Sequence, residues 1–135
     1  MYNTGLIKFK KFADEYGELV PIEECTDIPF SIKRVYYISN VISGRSRGYH
    51  AHKKLHQILI CVKGSVKIKL DNGKEKDEVI LTKNDIGLYM GPYIWHEMHD
   101  FSDDCVLLVF ASDNYDEEDY IRDYEGYLEV VKERF

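Results

Sequence analysis

The chain has 135 residues, 44% of them hydrophobic and 31% charged, with a formal net charge of −6. That length predicts a single domain over 1–135 with a core that needs no disulfide staples. The acidic balance argues against a nucleic-acid binder. No apolar run reaches the length of a bilayer span, and residues 1–11 contain no secretion-type apolar stretch. A cytoplasmic location with no membrane partner is therefore expected.

Apolar residues alternate in short runs separated by turn signals, which is the β pattern. Residues 6–12 predict a first strand, Gly17 a turn, and residues 19–22 a second strand. Residues 32–38 are rich in Val, Ile and Tyr and predict a third. Residues 55–62 are nearly all apolar and predict a buried strand, which Gly64 breaks before an alternating run at 66–70. Asn72-Gly73 predicts a tight hairpin with positive φ at both residues. Residues 79–81, 87–90, 95–101 and 106–111 complete the set. The cysteines, Cys25, Cys61 and Cys105, are odd in number and form no CxxC, so neither a disulfide framework nor a zinc knuckle is suggested. Cys61 and Cys105 lie in apolar strands and read as small buried hydrophobes.

The C-terminal part has a different period. Tyr120, Tyr124, Tyr127, Leu128 and Val131 recur at helical spacing. Asp116, Glu117, Glu118 and Asp119 crowd the start, and Lys132 and Arg134 lie near the end, a polarity that suits the helix dipole. One amphipathic helix over 116–133 is predicted, its tyrosine stripe packed on the barrel or on a partner chain. Many short strands followed by one helix predict an all-β jelly-roll barrel over about 1–112 with a C-terminal α-helix.

Charge is unevenly spread. Residues 28–70 contain no Asp or Glu but hold Lys33, Arg34, Arg45, Arg47, Lys53, Lys54, Lys63, Lys67 and Lys69. A cationic segment in an acidic chain can focus an anionic ligand. The same segment carries His50 and His52, two residues apart. On a strand both point to one side, toward the barrel interior. Such a pair suits either metal ligation or acid/base work near neutral pH.

Gly44, His50, His52 and Gly64 match the first motif of the cupins, G-x5-H-x-H-x4-E-x6-G, with Gln57 where a metal-binding member has Glu. The second motif is eroded: Gly87, Pro92 and His96 are recognisable, and Ile94 replaces a glycine. Loss of the anionic ligand weakens a divalent site, so no metal is expected. Residues 30–38 and 47–55, and more loosely 87–92, 95–98 and 119–122, resemble the dTDP-4-dehydro-6-deoxyglucose 3,4-ketoisomerases. The resemblance spans essentially the whole chain and is most specific around His50.

That resemblance implies a cupin jelly roll that moves a carbonyl between C4 and C3 of a dTDP-linked 6-deoxyhexose without a cofactor. It also implies a homodimer with exchanged N-terminal strands. The chemistry favours a base with pKa near the working pH and needs donors for an enediolate. His50 is the leading base, His52 a second proton carrier, and Tyr36 a donor to the oxyanion or to C4. Arg34 and Arg47 suit phosphate or sugar oxygens. Lys53, Gln57, Tyr89, Trp95 and His96 complete the expected substrate-binding set. A 3,5-epimerase, a metal cupin and a non-catalytic sugar-binding cupin are the competing readings.

Overall fold

The computed structural model describes residues 1–134. In chain order its strands are β1 (Thr4–Lys8), β2 (Phe12–Asp14), β3 (Gly17–Leu19), β4 (Arg34–Ser39), β5 (Arg47–His52), β6 (Gln57–Lys63), β7 (Val66–Asp71), β8 (Lys76–Leu81), β9 (Ile86–Met90), β10 (Trp95–His99), β11 (Val106–Ala111) and β12 (Tyr120–Ile121), followed by helix α1 (Tyr124–Arg134). Two five-stranded antiparallel sheets, ordered β1-β9-β6-β11-β4 and β12-β5-β10-β7-β8, face each other, and β2 and β3 form a separate hairpin. This is the jelly roll that the alternating pattern predicts.

Alternation decides what fills it. Leu59 and Cys61 of β6, Leu88 and Met90 of β9, and Leu107 and Val109 of β11 point inward from the first sheet. Val66, Ile68 and Leu70 of β7 and Met98 of β10 meet them from the second. Strand β6 is apolar on both faces because its other side, Ile58 and Ile60, packs against Phe9 and Ile28. On the outer face of the second sheet, Ala51, Trp95 and Ile121 are covered by Tyr127 and Val131 of α1. Cys61 and Cys105 are buried free thiols with their sulfurs 3.7 Å apart.

Three local expectations change. Residues 6–12 are divided between β1 and β2, and Gly17 opens β3, with the turn at 15–16 and the strand ending at Leu19. Strand pairing of β7 with β8 closes at Asp71↔Lys76, so the hairpin loop is four residues long. Of its Asn-Gly pair, Gly73 alone has a positive φ, 91°. Asn72 instead accepts the backbone N–H groups of Lys74 and Glu75 on its side-chain oxygen, at 2.9 and 2.8 Å. That bonding holds an extended loop that a two-residue turn would not.

The predicted helix over 116–133 is also divided. Residues Glu117–Asp119 form a 3₁₀ turn capped by Asp116, whose carboxylate accepts the Glu118 N–H at 3.1 Å. Tyr120 and Ile121 then pair with His52 and Ala51 of β5. The helix proper begins only at Tyr124, with Asp123 accepting the Gly126 N–H at 2.9 Å. The acidic run therefore caps a turn beside the barrel mouth, and only the later tyrosines belong to the helix.

Candidate active site

The barrel interior is apolar at one end and polar at the other. Strand pairing builds the polar end. His50 and His52 leave β5 on one face, and His96 stands opposite His50 in the register of β10. The ring centroids of His50 and His96 are 4.5 Å apart, those of His50 and His52 4.9 Å, and those of His52 and His96 6.0 Å. From β12, the Tyr120 ring lies 4.9 Å from His50 and 4.4 Å from His52.

Each Nδ1 faces an atom that can only accept. The His50 Nδ1–H donates to the Gly48 carbonyl at 3.1 Å, that of His52 to the Asp119 carboxylate at 3.2 Å, and that of His96 to the Ile94 carbonyl at 3.3 Å. A neutral imidazole so held keeps a lone pair on Nε2. Among the described residues, the buried Nε2 atoms of His52 and His96 have no hydrogen-bond partner.

Burial is the leading reason that all three imidazoles are held neutral. It lowers His50 to about 4, with Arg122 assisting and the Gly48 carbonyl and Glu117 opposing. His96 is lowered to about 3, by burial and then by His50. His52 falls further, through burial and then through His96, His50, Arg34 and Arg122.

Opposite the histidines, Gln57 is buried on β6 and donates its amide to the Tyr36 hydroxyl of β4 at 2.9 Å. Burial, and then the neighbouring Tyr120, raise the Tyr36 hydroxyl above the ordinary tyrosine range, so it is a proton donor. The Arg34 guanidinium sits 5.2 Å over the Tyr36 ring, and its Nε is buried without a hydrogen-bond partner among the described residues. Tyr36 and Arg34 open into a cavity of about 420 Å³ that Arg47, His50, Tyr120 and Arg122 also line; Gln57, His52 and His96 are not among its lining residues. Three guanidinium groups at one mouth suit a phosphorylated ligand.

A bulge fixes the His50 geometry. The β5–β10 register shifts between His96 and Glu97, with Gly48 opposite Glu97 and Tyr49 left over. Gly48 and Tyr49 take positive φ values of 92° and 62°. A Cβ on Gly48 would lie 3.0 Å from the His96 carbonyl oxygen. Gly48→Ala is therefore expected to cost about 1–3 kcal/mol of stability through backbone strain. It should also lower turnover, by moving the carbonyl that orients His50. Urea denaturation and a turnover assay of one sample check both effects.

Three of the expected binding residues lie elsewhere. Trp95 precedes the inward His96, so it points out, packing 5.1 Å from Tyr124 and 5.6 Å from Tyr127. There it borders a larger hollow of about 710 Å³ on the outer face of the second sheet, which none of the three clustered histidines lines. Tyr89 lies between the inward Leu88 and Met90, so it also faces out, with its hydroxyl 2.7 Å from His56 Nδ1. Lys53 follows the end of β5 and donates to the Glu118 carbonyl at 3.2 Å on the surface.

Conversely, Asp119, Tyr120 and Arg122 join the site without having been singled out. Arg122 lies 4.2 Å over the Tyr120 ring and is held by Glu117 through two bonds of 2.7 and 2.9 Å. Their run, 119–122, carries part of the family resemblance, but reading it as helix hid its strand pairing with His52.

By distance, the three histidines could hold a cation, since one nitrogen of each lies within 4.8 Å of the others. All three donors are neutral. The residue at the fourth motif position, Gln57, supplies no anion and has its amide committed to Tyr36. Loss of the anionic ligand weakens a divalent site, while a three-imidazole set alone is able to hold a transition ion.

A jelly roll with imidazoles converging inside one end defines a cupin. A family model described as FdtA, WxcM-like, C-terminal, matches residues 2–132. TDP-4-oxo-6-deoxy-alpha-D-glucose-3,4-oxoisomerase from Aneurinibacillus thermoaerophilus is 54% identical over 126 residues, covering 93% of this chain and 91% of its own. A mutant of the 3,4-ketoisomerase QdtA from Thermoanaerobacterium thermosaccharolyticum, solved with TDP-4-keto-6-deoxyglucose, superimposes with a TM-score of 0.98 at 56% identity over 100% of this chain and 98% of that one. A 3,4-ketoisomerase from Helicobacter canadensis gives 0.94 at 42% identity, over 96% and 98% of the two chains. The epimerase NovW from Streptomyces spheroides, at 18% identity, TM-score 0.75 and coverage of 88% and 68%, shares the fold. The chain belongs to the FdtA/WxcM-like family of cupin TDP-sugar 3,4-ketoisomerases.

Proposed function

We propose that this cavity converts dTDP-4-keto-6-deoxyglucose to a dTDP-3-keto-6-deoxyhexose through an enediol, in a sequence that supplies a 3-ketone for amination. The observation that carries the reading is the set of neutral imidazoles, their Nε2 atoms free, beside a mouth of arginines. His50 takes the proton from C3, which the adjacent ketone acidifies. The oxygen at C4 gains charge and is met by the Tyr36 hydroxyl. A proton then enters at C4, the C3 hydroxyl gives up its own, and the ketone stands at C3. His52 is the second proton carrier, and Arg34 and Arg47 bind the diphosphate. Gln57 orients Tyr36, and His96 packs behind His50. Electrons move only within the substrate, so no redox cofactor enters the balance.

The reaction run in deuterium oxide from dTDP-glucose and its 4,6-dehydratase, followed by NMR, tests this. Deuterium at C4 with the ketone at C3 is the expected result. A ketone retained at C4, with exchange at C3 and C5, would make the protein an epimerase, and tight binding without turnover a sugar-binding cupin. The trio of imidazoles favours a second reading, a metal-dependent cupin. Chelator-stripped protein should keep its rate. Loss of activity restored by one equivalent of a transition ion would establish the second reading.

The same reading includes a cytoplasmic homodimer with exchanged N-terminal strands. What supports it is a sheet with open edges at β1 and β4, with Leu6, Phe12, Leu19, Val35 and Tyr37 exposed along them and on the hairpin. Strand pairing across an open edge is a common route to dimers. Light scattering at twice the monomer mass supports it, and a monomer at working concentration overturns it. No helix among the described residues is long and apolar enough to cross a membrane.

A further inference from the structure

The geometry points to Asp119 as the positioning residue that holds His52 in the tautomer whose Nε2 can take a proton in the isomerisation. The inference rests on the reading of His52 as a proton carrier. His50 and His96 have their Nδ1–H groups held by backbone carbonyls, whereas His52 alone among the three is paired with a carboxylate. A carboxylate stabilises an imidazolium far better than a carbonyl does, and it dictates the tautomer of the neutral ring. Both side chains of the pair are nearly buried, 4% exposed for His52 and 11% for Asp119.

Asp119 is itself fixed from three directions. Its Oδ1 accepts the Lys54 backbone N–H at 2.8 Å, its carbonyl accepts the Lys53 N–H at 3.0 Å, and the next residue, Tyr120, pairs with His52 in the sheet. Only Oδ2 is then left for the ring. The Nε2 at the far side of that ring is buried without a partner among the described residues. The pair therefore runs from the chain wall to an unoccupied acceptor, the arrangement expected of a proton carrier that must be charged briefly.

The fixed Oδ1 makes the inference testable. In Asp119→Asn the atom facing the Lys54 N–H must remain an oxygen, so the amide nitrogen faces His52 Nδ1. Two donors would then meet, and His52 must shift its proton to Nε2. The expected result is a fall in kcat of about 10²–10⁴ with KM little changed, by analogy with mis-set histidine tautomers elsewhere. Asp119→Ala removes the carboxylate without imposing the wrong tautomer, so its kcat should be no lower than that of Asp119→Asn.

A merely structural role predicts the opposite order, because Asn preserves the Lys54 bond and Ala does not. Nitrogen-15 NMR of the imidazoles in substrate-free protein gives the second readout: His52 should carry its proton on Nδ1 in the wild type and on Nε2 in Asp119→Asn. Wild-type kcat in Asp119→Asn, or an unchanged His52 tautomer, would overturn the inference. The tautomer is read without substrate, so its outcome stays separate from whether the wild type is an isomerase at all.

Discussion

Replacing His50 with Asn should lower turnover by about a thousandfold while the protein stays folded, within the usual range for loss of a general base. The ring stands at the cavity wall with its Nδ1–H on the Gly48 carbonyl, so the Nε2 lone pair is the reactive position. Burial lowers the group to about 4, which keeps it unprotonated at neutral pH. Asn matches the ring's Nδ1 with its amide and can still donate to Gly48, but it has no basic atom. Substrate affinity should therefore survive, leaving the loss in kcat. Product NMR under saturating substrate measures it. Retained turnover would remove His50 from the role of base and transfer that role to His52.

Acid should destabilise the fold unusually early. His52 and His96 are almost fully buried, and both are depressed in the native state, His96 to about 3 and His52 lower. In the unfolded chain both return to about 6.5. Above that pH neither state binds the extra proton and the fold keeps its full stability. Below it the unfolded chain binds protons that the native interior refuses, so stability falls as pH drops toward the native values. Each group contributes a slope of about 1.4 kcal/mol per pH unit, so the pair removes roughly 3 kcal/mol per unit between about pH 6 and pH 4. Over those two units the loss is about 6 kcal/mol, which brings a domain at the bottom of the ordinary range of about 5–15 kcal/mol close to unfolding. Urea titrations at pH 7.5, 6 and 5 give the slope, and His96→Gln should reduce it by about one group. Stability that does not change between pH 7 and 5 would show that the histidines are hydrated, and the cavity more open, than the structure has them.

Each prediction depends on side chains placed by alternation, and there the sequence was most legible. His50 and His52 share a strand face in any register, because the side-chain period of a strand is two. Gln57, Leu59 and Cys61 share the opposing wall for the same reason. Alternation also shows why two expected ligand walls face away from the interior. Once His96 points inward, Trp95 cannot, and Tyr89 is turned out between Leu88 and Met90. Neither parity was knowable until strand pairing chose which side of β9 and β10 faced the interior.

By itself, the sequence determined an all-β barrel with a helix at its end, a histidine pair on one strand face, the absence of a carboxylate at the fourth motif position, and the family. Local period and residue chemistry suffice for these, since each is a property of neighbours in the chain. Tertiary structure alone decided the rest. It brought His96 from β10 and Asp119, Tyr120 and Arg122 from beyond β11 to His50 and His52 on β5. It also divided the predicted helix, because Tyr120 and Ile121 pair with His52 and Ala51 of β5 and Ile121 is buried there. Contacts over 67 residues, such as His52 to Asp119, are set by sheet registry, which no local pattern encodes.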